Sequence, residues 1–182
     1  MSRYIAFLRA INVGGRTVTM ETLRRLFTEL GFTAVETFIA SGNVIFEAPR
    51  SAEAELEHRI ETALKVTLGY DVAVFVRTSL VLAEIALYQP FPPEAVQAAT
   101  ALNVAFLKSP IDTTARQRLE ALTTVIDTFR INDRELFWLC LRKQSESTFS
   151  NAVLEKAIRQ QATLRTIRTV QTLAAMYSDV NF

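Results

Sequence analysis

Two short polar segments near the amino terminus combine glycines with side chains that could bind an anion. The first follows an apolar run that ends at Leu8, and the second separates two β-like runs. Glycines let backbone N–H groups approach an anion without obstruction by a Cβ, arginine forms charge-assisted bonds to phosphate or carboxylate, and Ser and Asn add neutral donors. The candidate ligand-binding residues are Arg9, Asn12, Gly14, Gly15, Arg16, Ser41, Gly42 and Asn43.

The spacing of these residues does not identify a known phosphate-binding motif. It matches neither the phosphate loop with its Gly-Lys-Ser/Thr ending nor the dinucleotide pattern with three spaced glycines. The same residues are also typical of two tight turns in which Asn12 and Asn43 bond to the backbone. Both interpretations stay open on the sequence alone.

A secondary basic patch is predicted near the carboxyl terminus. Thr163 is the expected N-cap of a final helix, with Arg165 and Arg168 on its outward face and Arg159 nearby. A helix N-terminus favours anions. A charged stripe opposite an apolar one is, however, also the ordinary solvated face of an amphipathic helix.

The remaining reactive side chains do not indicate catalysis or metal binding. His58, the single histidine, is expected at a solvated helix position, and Cys140, the single cysteine, alternates with Trp138 and Leu136 on an apolar strand and is expected in the core. One His and one Cys cannot assemble the common zinc ligand sets, and the acids lack calcium-loop spacing. We therefore predict no metal or cofactor and identify no catalytic residue, which leaves open whether the chain is an enzyme.

The elements that must position the amino-terminal segments follow the order βαββαβ. Tyr4 to Leu8 is the predicted first strand, and apolar residues at helical spacing, with Thr19 as N-cap and Gly31 just past the end, predict the first helix. Val35 to Ile39 and Val44 to Phe46 are the predicted hairpin. In a split βαβ unit the right-handed crossover makes the first two strands parallel, and the hairpin returns the third strand beside the first. We therefore expect residues 9–16 and 41–43 to meet at one end of the sheet, and we call them the two-loop rim.

The pattern restarts after a proline-containing connector, which indicates a tandem organisation. We predict a first ferredoxin-like unit at residues 1–77, a connector at 78–101 and a second ferredoxin-like unit at 102–182. The second unit repeats the order βαββ and then continues into two helices, so we expect a last unit altered by an extra C-terminal helix. The predicted fold class is α+β, with two split βαβ (α/β plait) units whose sheets contain antiparallel pairs.

Composition narrows the class of protein and its location. With 49% hydrophobic and 21% charged residues, the chain is expected to be ordered and globular, and its net charge of +1 argues against strong general attraction to nucleic acid. No apolar stretch approaches the roughly 20 residues that cross a bilayer, and the amino terminus is too quickly interrupted for a signal peptide. Together with the single cysteine, this predicts a soluble cytoplasmic protein without a membrane partner.

Three segments resemble a widespread, largely bacterial family classed as domain of unknown function 1697. They are Phe7 to Gly15 (FLRAINVGG), Thr37 to Phe46 (TFIASGNVIF) and Thr163 to Leu173 (TLRTIRTVQTL). Members of that family often carry FLRGINVGG, so Ala10 replaces a glycine here. Their third motif commonly reads TRNWNTV, of which Arg165 is kept. The resemblance implies two ferredoxin-like halves and no established activity.

Three functional hypotheses remain open. The first is a binding protein that takes an anionic small molecule or a phosphate-bearing partner at the two-loop rim. The second is an enzyme acting on a nucleotide-like substrate, with Arg9 as electrostatic stabiliser and Ser41 or Asn43 orienting the substrate. The third is a nucleic-acid or protein interaction module that uses the secondary basic patch and predicts steep salt dependence.

Overall fold

The computed structural model describes residues 1–12, 14, 15, 17–39 and 42–178 of the chain. These residues form two compact units: residues 1–83 together with the carboxyl-terminal segment from Leu173, and residues 84–172. Each unit contains a four-stranded antiparallel sheet with helices between its strands. The predicted α+β class with tandem ferredoxin-like units is confirmed.

Unit 1 has the predicted order βαββαβ, followed by a helix. Its elements are β1 (Ser2–Leu8), α1 (Met20–Glu29), β2 (Thr33–Phe38), β3 (Asn43–Ala48), α2 (Glu53–Leu68), β4 (Val74–Thr78) and the beginning of α3 (Ser79–Leu87). The strand order is β2-β3-β1-β4, and β1 is antiparallel to both β3 and β4. Because β2 is antiparallel to β3, β1 and β2 run in the same direction, as a split βαβ unit requires.

Local signals account for the first helix. Thr19 has extended backbone angles, and its side chain accepts the Thr22 N–H at 3.1 Å, so it caps the helix as predicted. Leu30 is the C-cap, and Gly31 follows with a φ of +82°. The apolar face of α1 lies on the sheet through Leu23 and Phe27, which are fully buried.

An aromatic cluster joins α1 to the sheet. Phe46 on β3 stacks on Phe32 with ring centroids 4.5 Å apart, and on Tyr4 of β1 at 5.6 Å. Phe27 meets Phe46 edge-on at 5.4 Å. Each fully buried side chain of this size contributes about 1.5–3 kcal/mol through removal of apolar surface from water. These contacts hold the helix face against β1 and β3.

The outer edge of β4 is covered by carboxylates from α2. Residues four apart on a helix lie on one face, and here three such glutamates accept alternate backbone N–H groups of the strand. The bonds are Glu53 to Thr78 at 3.2 Å, Glu57 to Val76 at 2.8 Å and Glu61 to Val74 at 2.8 Å. Arg77 Nη1 donates to the Val76 carbonyl at 2.8 Å. Polar groups that would otherwise form an open sheet edge are thereby paired within the chain.

Unit 2 repeats the same order of elements. It contains the end of α3, α4 (Pro93–Ala98), β5 (Ala101–Leu107), α5 (Thr113–Glu120), β6 (Asp127–Asn132), β7 (Glu135–Cys140), a 3₁₀ turn (Gln144–Glu146), α6 (Asn151–Ile158), β8 (Ala162–Thr166) and the beginning of α7 (Ile167–Tyr177). The strand order β6-β7-β5-β8 matches that of unit 1. Glu155 of α6 accepts the Ala162 N–H at 2.8 Å, which covers the β8 edge in the same way.

The carboxyl-terminal part of the sequence prediction requires a correction. Thr163 does not cap a helix, because it lies in β8, whose residues pair with β5. The final helix begins at Ile167, and Thr166 caps it by accepting the Thr169 N–H at 3.2 Å. The last strand is therefore present, and the extra helix follows it. The strand was missed because its five residues include an arginine and run directly into the helix.

Candidate functional site

The loop after β1 and the turn before β3 meet at one end of the unit 1 sheet. The Leu8 N–H donates to the Gly42 carbonyl at 2.8 Å, and Phe7 is opposite Asn43 in the strand register. A Cβ on Gly42 would lie 2.8 Å from Ile11 Cγ2, and Gly42 has a φ of +75°, so this close approach requires glycine. The predicted convergence of the two segments is confirmed for the described residues.

Two amides of the rim support the loops. Asn12 Oδ1 accepts the Val18 N–H at 2.7 Å, which closes the loop between β1 and α1. Asn43 is fully buried, and its Nδ2 donates to the Phe38 carbonyl at 2.9 Å across the hairpin turn. These bonds agree with the turn interpretation of both residues. They also determine the shape of the surface that the rest of the rim presents.

The described residues of the rim include an exposed glycine pair, and Arg9 lies at the start of the same loop. Gly14 and Gly15 are exposed, with φ of +64° and +79°, and no atom lies within 4 Å of a Cβ built on either residue. Arg9 is half-buried, and its N–H donates to the Ala73 carbonyl at 2.8 Å, which anchors its backbone beside β4. Arg16 and Ser41, the other predicted contacts, lie outside the described residues.

Backbone strain occurs within the rim at Ala10 and beside it at Ile39. Ala10 has a φ of +54° and Ile39 a φ of +50°, in the left-handed region that costs a residue with a Cβ about 1–2 kcal/mol. Ile39 is exposed, and its left-handed φ is unusual because its side chain is β-branched. The positive φ of Ala10 also explains why a glycine suits this position in the FLRGINVGG motif. Strained residues concentrate at functional sites.

The predicted secondary basic patch does not form as expected. Arg165 is only 8% exposed and lies on β8, where its Nη1 donates to Thr163 Oγ1 and to the Leu164 carbonyl, both at 2.8 Å. Burial lowers the pKa of Arg165 to about 10. Arg159 and Arg168 are exposed. The prediction that Arg165 lies on an outward helix face is wrong, because the residue belongs to a covered strand.

A buried arginine is the second-to-last residue of the last strand in each unit, and sequence reasoning missed this match. Arg77 is fully buried on β4 opposite Ile5, and Arg165 occupies the matching place on β8 opposite Val104. In both cases the next residue is a threonine that caps the following helix, since Thr78 Oγ1 accepts the Val81 N–H at 3.2 Å. The repeated Arg-Thr pair after an apolar run is the sequence signal that could have revealed the match.

Unit 2 contains a buried carboxylate that the sequence did not indicate. Asp127 is 1% exposed and accepts hydrogen bonds from Trp138 Nε1 at 2.8 Å, Ser147 Oγ at 2.8 Å and Thr124 Oγ1 at 3.1 Å. The carboxylate joins β6, β7 and the segment after the 3₁₀ turn. With three donors aimed at it, Asp127 organises the packing of this part of unit 2.

The single cysteine and histidine lie where the sequence predicted. Cys140 is fully buried, its Sγ donates to the Arg142 carbonyl at 3.1 Å, and burial raises the pKa of the thiol. A buried thiol with a raised pKa is a poor nucleophile. His58 is exposed on α2. Among the described residues, no three His, Cys, Asp or Glu side chains come together as a metal site would need, and no helix is long and apolar enough to cross a bilayer.

The fold and the rim define a class of α+β proteins with two tandem ferredoxin-like units. The chain belongs to the family described as "Protein of unknown function (DUF1697)", whose model matches residues 1–137. Among solved structures, it is similar to the conserved bacterial protein SP0830 from Streptococcus pneumoniae, with a TM-score of 0.78 and 24% sequence identity over 96% of this chain and 98% of that one. At this identity the likeness establishes the fold alone. No curated protein matches the chain.

Proposed function

We propose that the two-loop rim binds a small anionic molecule, with a phosphate or carboxylate group received by the Gly14–Gly15 backbone and by Arg9. The observation that carries this proposal is the exposed glycine pair in the loop that begins at Arg9, whose backbone is anchored at the end of β1. Backbone N–H groups in such a loop bind anions without the entropy cost of ordering a long side chain.

The bonds within the rim support a preformed site. Asn12 ties the loop to Val18, and the Leu8 to Gly42 bond ties the turn to the sheet. Because these bonds exist in the free chain, an anion would meet N–H groups already in position, which lowers the cost of binding. In this proposal Asn12 and Asn43 shape the loops, and the ligand contacts come from Arg9 and the glycines.

Substitution of a glycine by asparagine tests the rim without removing its backbone conformation. Asparagine tolerates a left-handed φ better than other residues, so Gly15→Asn places a side chain where the anion would approach and keeps the loop geometry. Gly31→Asn is the matched control, since Gly31 also has a positive φ and no atom near its Cβ position. Thermal denaturation with increasing inorganic phosphate, pyrophosphate or citrate at constant ionic strength measures binding as a rise in Tm.

We expect an anion-dependent rise in Tm that Gly15→Asn and Arg9→Gln abolish and that Gly31→Asn retains. Equal anion-dependent rises in all four proteins would refute the proposal. Assay of the same samples for consumption of phosphate esters separates a binding protein from an enzyme, because only an enzyme releases product.

We further propose the cytoplasm as the location of this protein. The single cysteine is buried in unit 2 as a thiol, which fits a reducing compartment. Fractionation of cells that express the tagged chain tests this assignment.

A further inference from the structure

A surface hollow of about 480 Å³ lies within unit 2, at the loop between β5 and α5 and the residues that follow α6. This volume is in the range of small-molecule sites. Ser109, Asp112 and Thr114 line one side, and Arg159 and Gln160 line the other. All of these residues belong to one unit, so the hollow is formed by unit 2 alone.

The charge of the hollow favours an anion. Among the described residues that line it, two carry guanidinium groups, Arg118 and Arg159, and one, Asp112, carries a carboxylate. Asp112 Oδ1 accepts the Ala115 N–H at 2.6 Å as the N-cap of α5, so this oxygen is engaged with the backbone. The lining therefore has an excess of positive charge.

The side chain of Arg118 and the backbone of Arg159 are held in position. Arg118 is half-buried, and its Nε donates to the Ala157 carbonyl at 2.5 Å, which orients the guanidinium and leaves its terminal nitrogens as further donors. Arg159 is the C-cap of α6, with a φ of +57° and its N–H bonded to the Glu155 carbonyl at 2.8 Å. A left-handed cap residue is bent out of the helix direction, and this places Arg159 on the lining.

Hydrogen bonds keep the hollow in shape. Gln160 Oε1 accepts the Ser109 N–H at 3.2 Å, and its Nε2 donates to the Ser109 carbonyl at 3.0 Å. This pair of bonds fastens the loop after β5 to the segment after α6. The two walls of the hollow are thus joined by one side chain.

The hollow occupies the corner of unit 2 that corresponds to the rim of unit 1. The Leu107 N–H donates to the Arg134 carbonyl at 2.9 Å, as the Leu8 N–H does to Gly42 at 2.8 Å. In each unit the loop after the first strand also bonds to the segment before the last strand. The bond is Arg9 to Ala73 in unit 1 and Ser109 to Gln160 in unit 2. The equivalent loops of the two units are therefore joined by equivalent backbone hydrogen bonds but carry different side chains.

We propose that this hollow is a second anion site, which takes a small molecule carrying a phosphate group between Arg118 and Arg159. Arginine guanidinium groups bind phosphate oxygens in a planar, bidentate geometry, and two of them on one lining match a doubly charged group. The Asp112 cap of α5 and the hydrogen bonds of Gln160 hold the walls of the site in place. This site shares no residue with the rim, so the two proposals are tested separately.

Titration of ¹⁵N-labelled protein with inorganic phosphate and with phenyl phosphate, at constant ionic strength, tests this site. Amide shifts of Ser109 and of residues 111–115 and 158–160 report on the hollow, and shifts of Gly14 and Gly15 report on the rim in the same spectra. The test variant is Arg118→Gln combined with Arg159→Asn, since glutamine keeps a donor for Ala157 and asparagine tolerates the left-handed φ. Arg116→Gln, an exposed arginine on the same helix, is the matched control.

We expect saturable shifts at the hollow, and an affinity at least about tenfold weaker in the double variant than in Arg116→Gln. Retained affinity in the double variant, an equal loss in Arg116→Gln, or shifts that do not saturate would each overturn the proposal. Arg9→Gln should leave the hollow signals unchanged, so failure of the rim and failure of the hollow are distinguishable. A native-like spectrum of the double variant establishes that it folds.

Discussion

Removal of the Glu57 carboxylate should destabilise unit 1 more than removal of any other acid on α2. Glu57 is 4% exposed and accepts the N–H of the fully buried Val76 at 2.8 Å. In Glu57→Ala this N–H loses its acceptor, at a cost of about 1–3 kcal/mol, and the buried γ-methylene is lost at about 0.8 kcal/mol. We therefore expect a loss of about 3 kcal/mol in the free energy of unfolding.

The three glutamates of α2 that bond to β4 should form a graded series of stability losses. Glu61 makes a bond of the same length from a half-buried position, so Glu61→Ala should cost about 1–2 kcal/mol. Glu53 makes a longer bond of 3.2 Å and should cost less than Glu61. Glu57→Gln keeps a neutral acceptor and should lose about 1 kcal/mol, because bonds to charged acceptors are stronger. Glu55 is exposed on the same helix, and Glu55→Ala should stay within about 0.5 kcal/mol of the parent.

Urea denaturation followed by far-ultraviolet circular dichroism measures these differences, and amide hydrogen exchange at Val76 gives a local measure. Protection of the Val76 amide should fall most in Glu57→Ala. If Glu57→Ala were no more destabilised than Glu55→Ala, with unchanged exchange at Val76, the argument that α2 carboxylates cover the strand edge would be refuted.

Two further predictions concern backbone strain and pH. Ala10→Gly relieves a left-handed alanine and should raise stability by about 1 kcal/mol, seen as a Tm increase of about 2–4 °C, whereas Ala54→Gly on an exposed helix position should lower it by a similar amount. Burial, aided by the 2.8 Å bond from its hydroxyl to Glu36, raises the pKa of Tyr177 to about 12. The folded state thus holds this proton more tightly, so the contribution to stability is complete below the unfolded pKa of about 10 and is lost as pH rises through about 12. An absorbance titration of tyrosinate should lose its step near pH 12 in Tyr177→Phe, and an unaltered titration would contradict this assignment.

Local patterns were sufficient for most elements of unit 1. The Thr19 cap, the helical spacing before Gly31 and the hairpin are determined by residues close together in the chain. The cap and the helix are found as predicted, and the hairpin is found with the strands Thr33–Phe38 and Asn43–Ala48. Because β1 and β2 run in the same direction, the first-strand loop and the hairpin turn lie at the same end of the sheet, and the pairing of β3 with β1 makes them neighbours. The neighbours Leu8 and Gly42 follow from the order of elements alone.

The sequence by itself determined the order of elements, the α+β class and the meeting of the two rim segments, since periodicity, caps and crossover handedness are local or chiral properties. Only the tertiary structure decided that Arg165 is buried on a strand, that Glu57 bonds to β4 and that Arg118 and Arg159 line one hollow. A polar residue looks solvent-exposed in a sequence pattern, because its hydrogen-bond partner can lie far along the chain, as Val76 does for Glu57. The physical reason is that burial of a charged side chain depends on partners which the fold brings together.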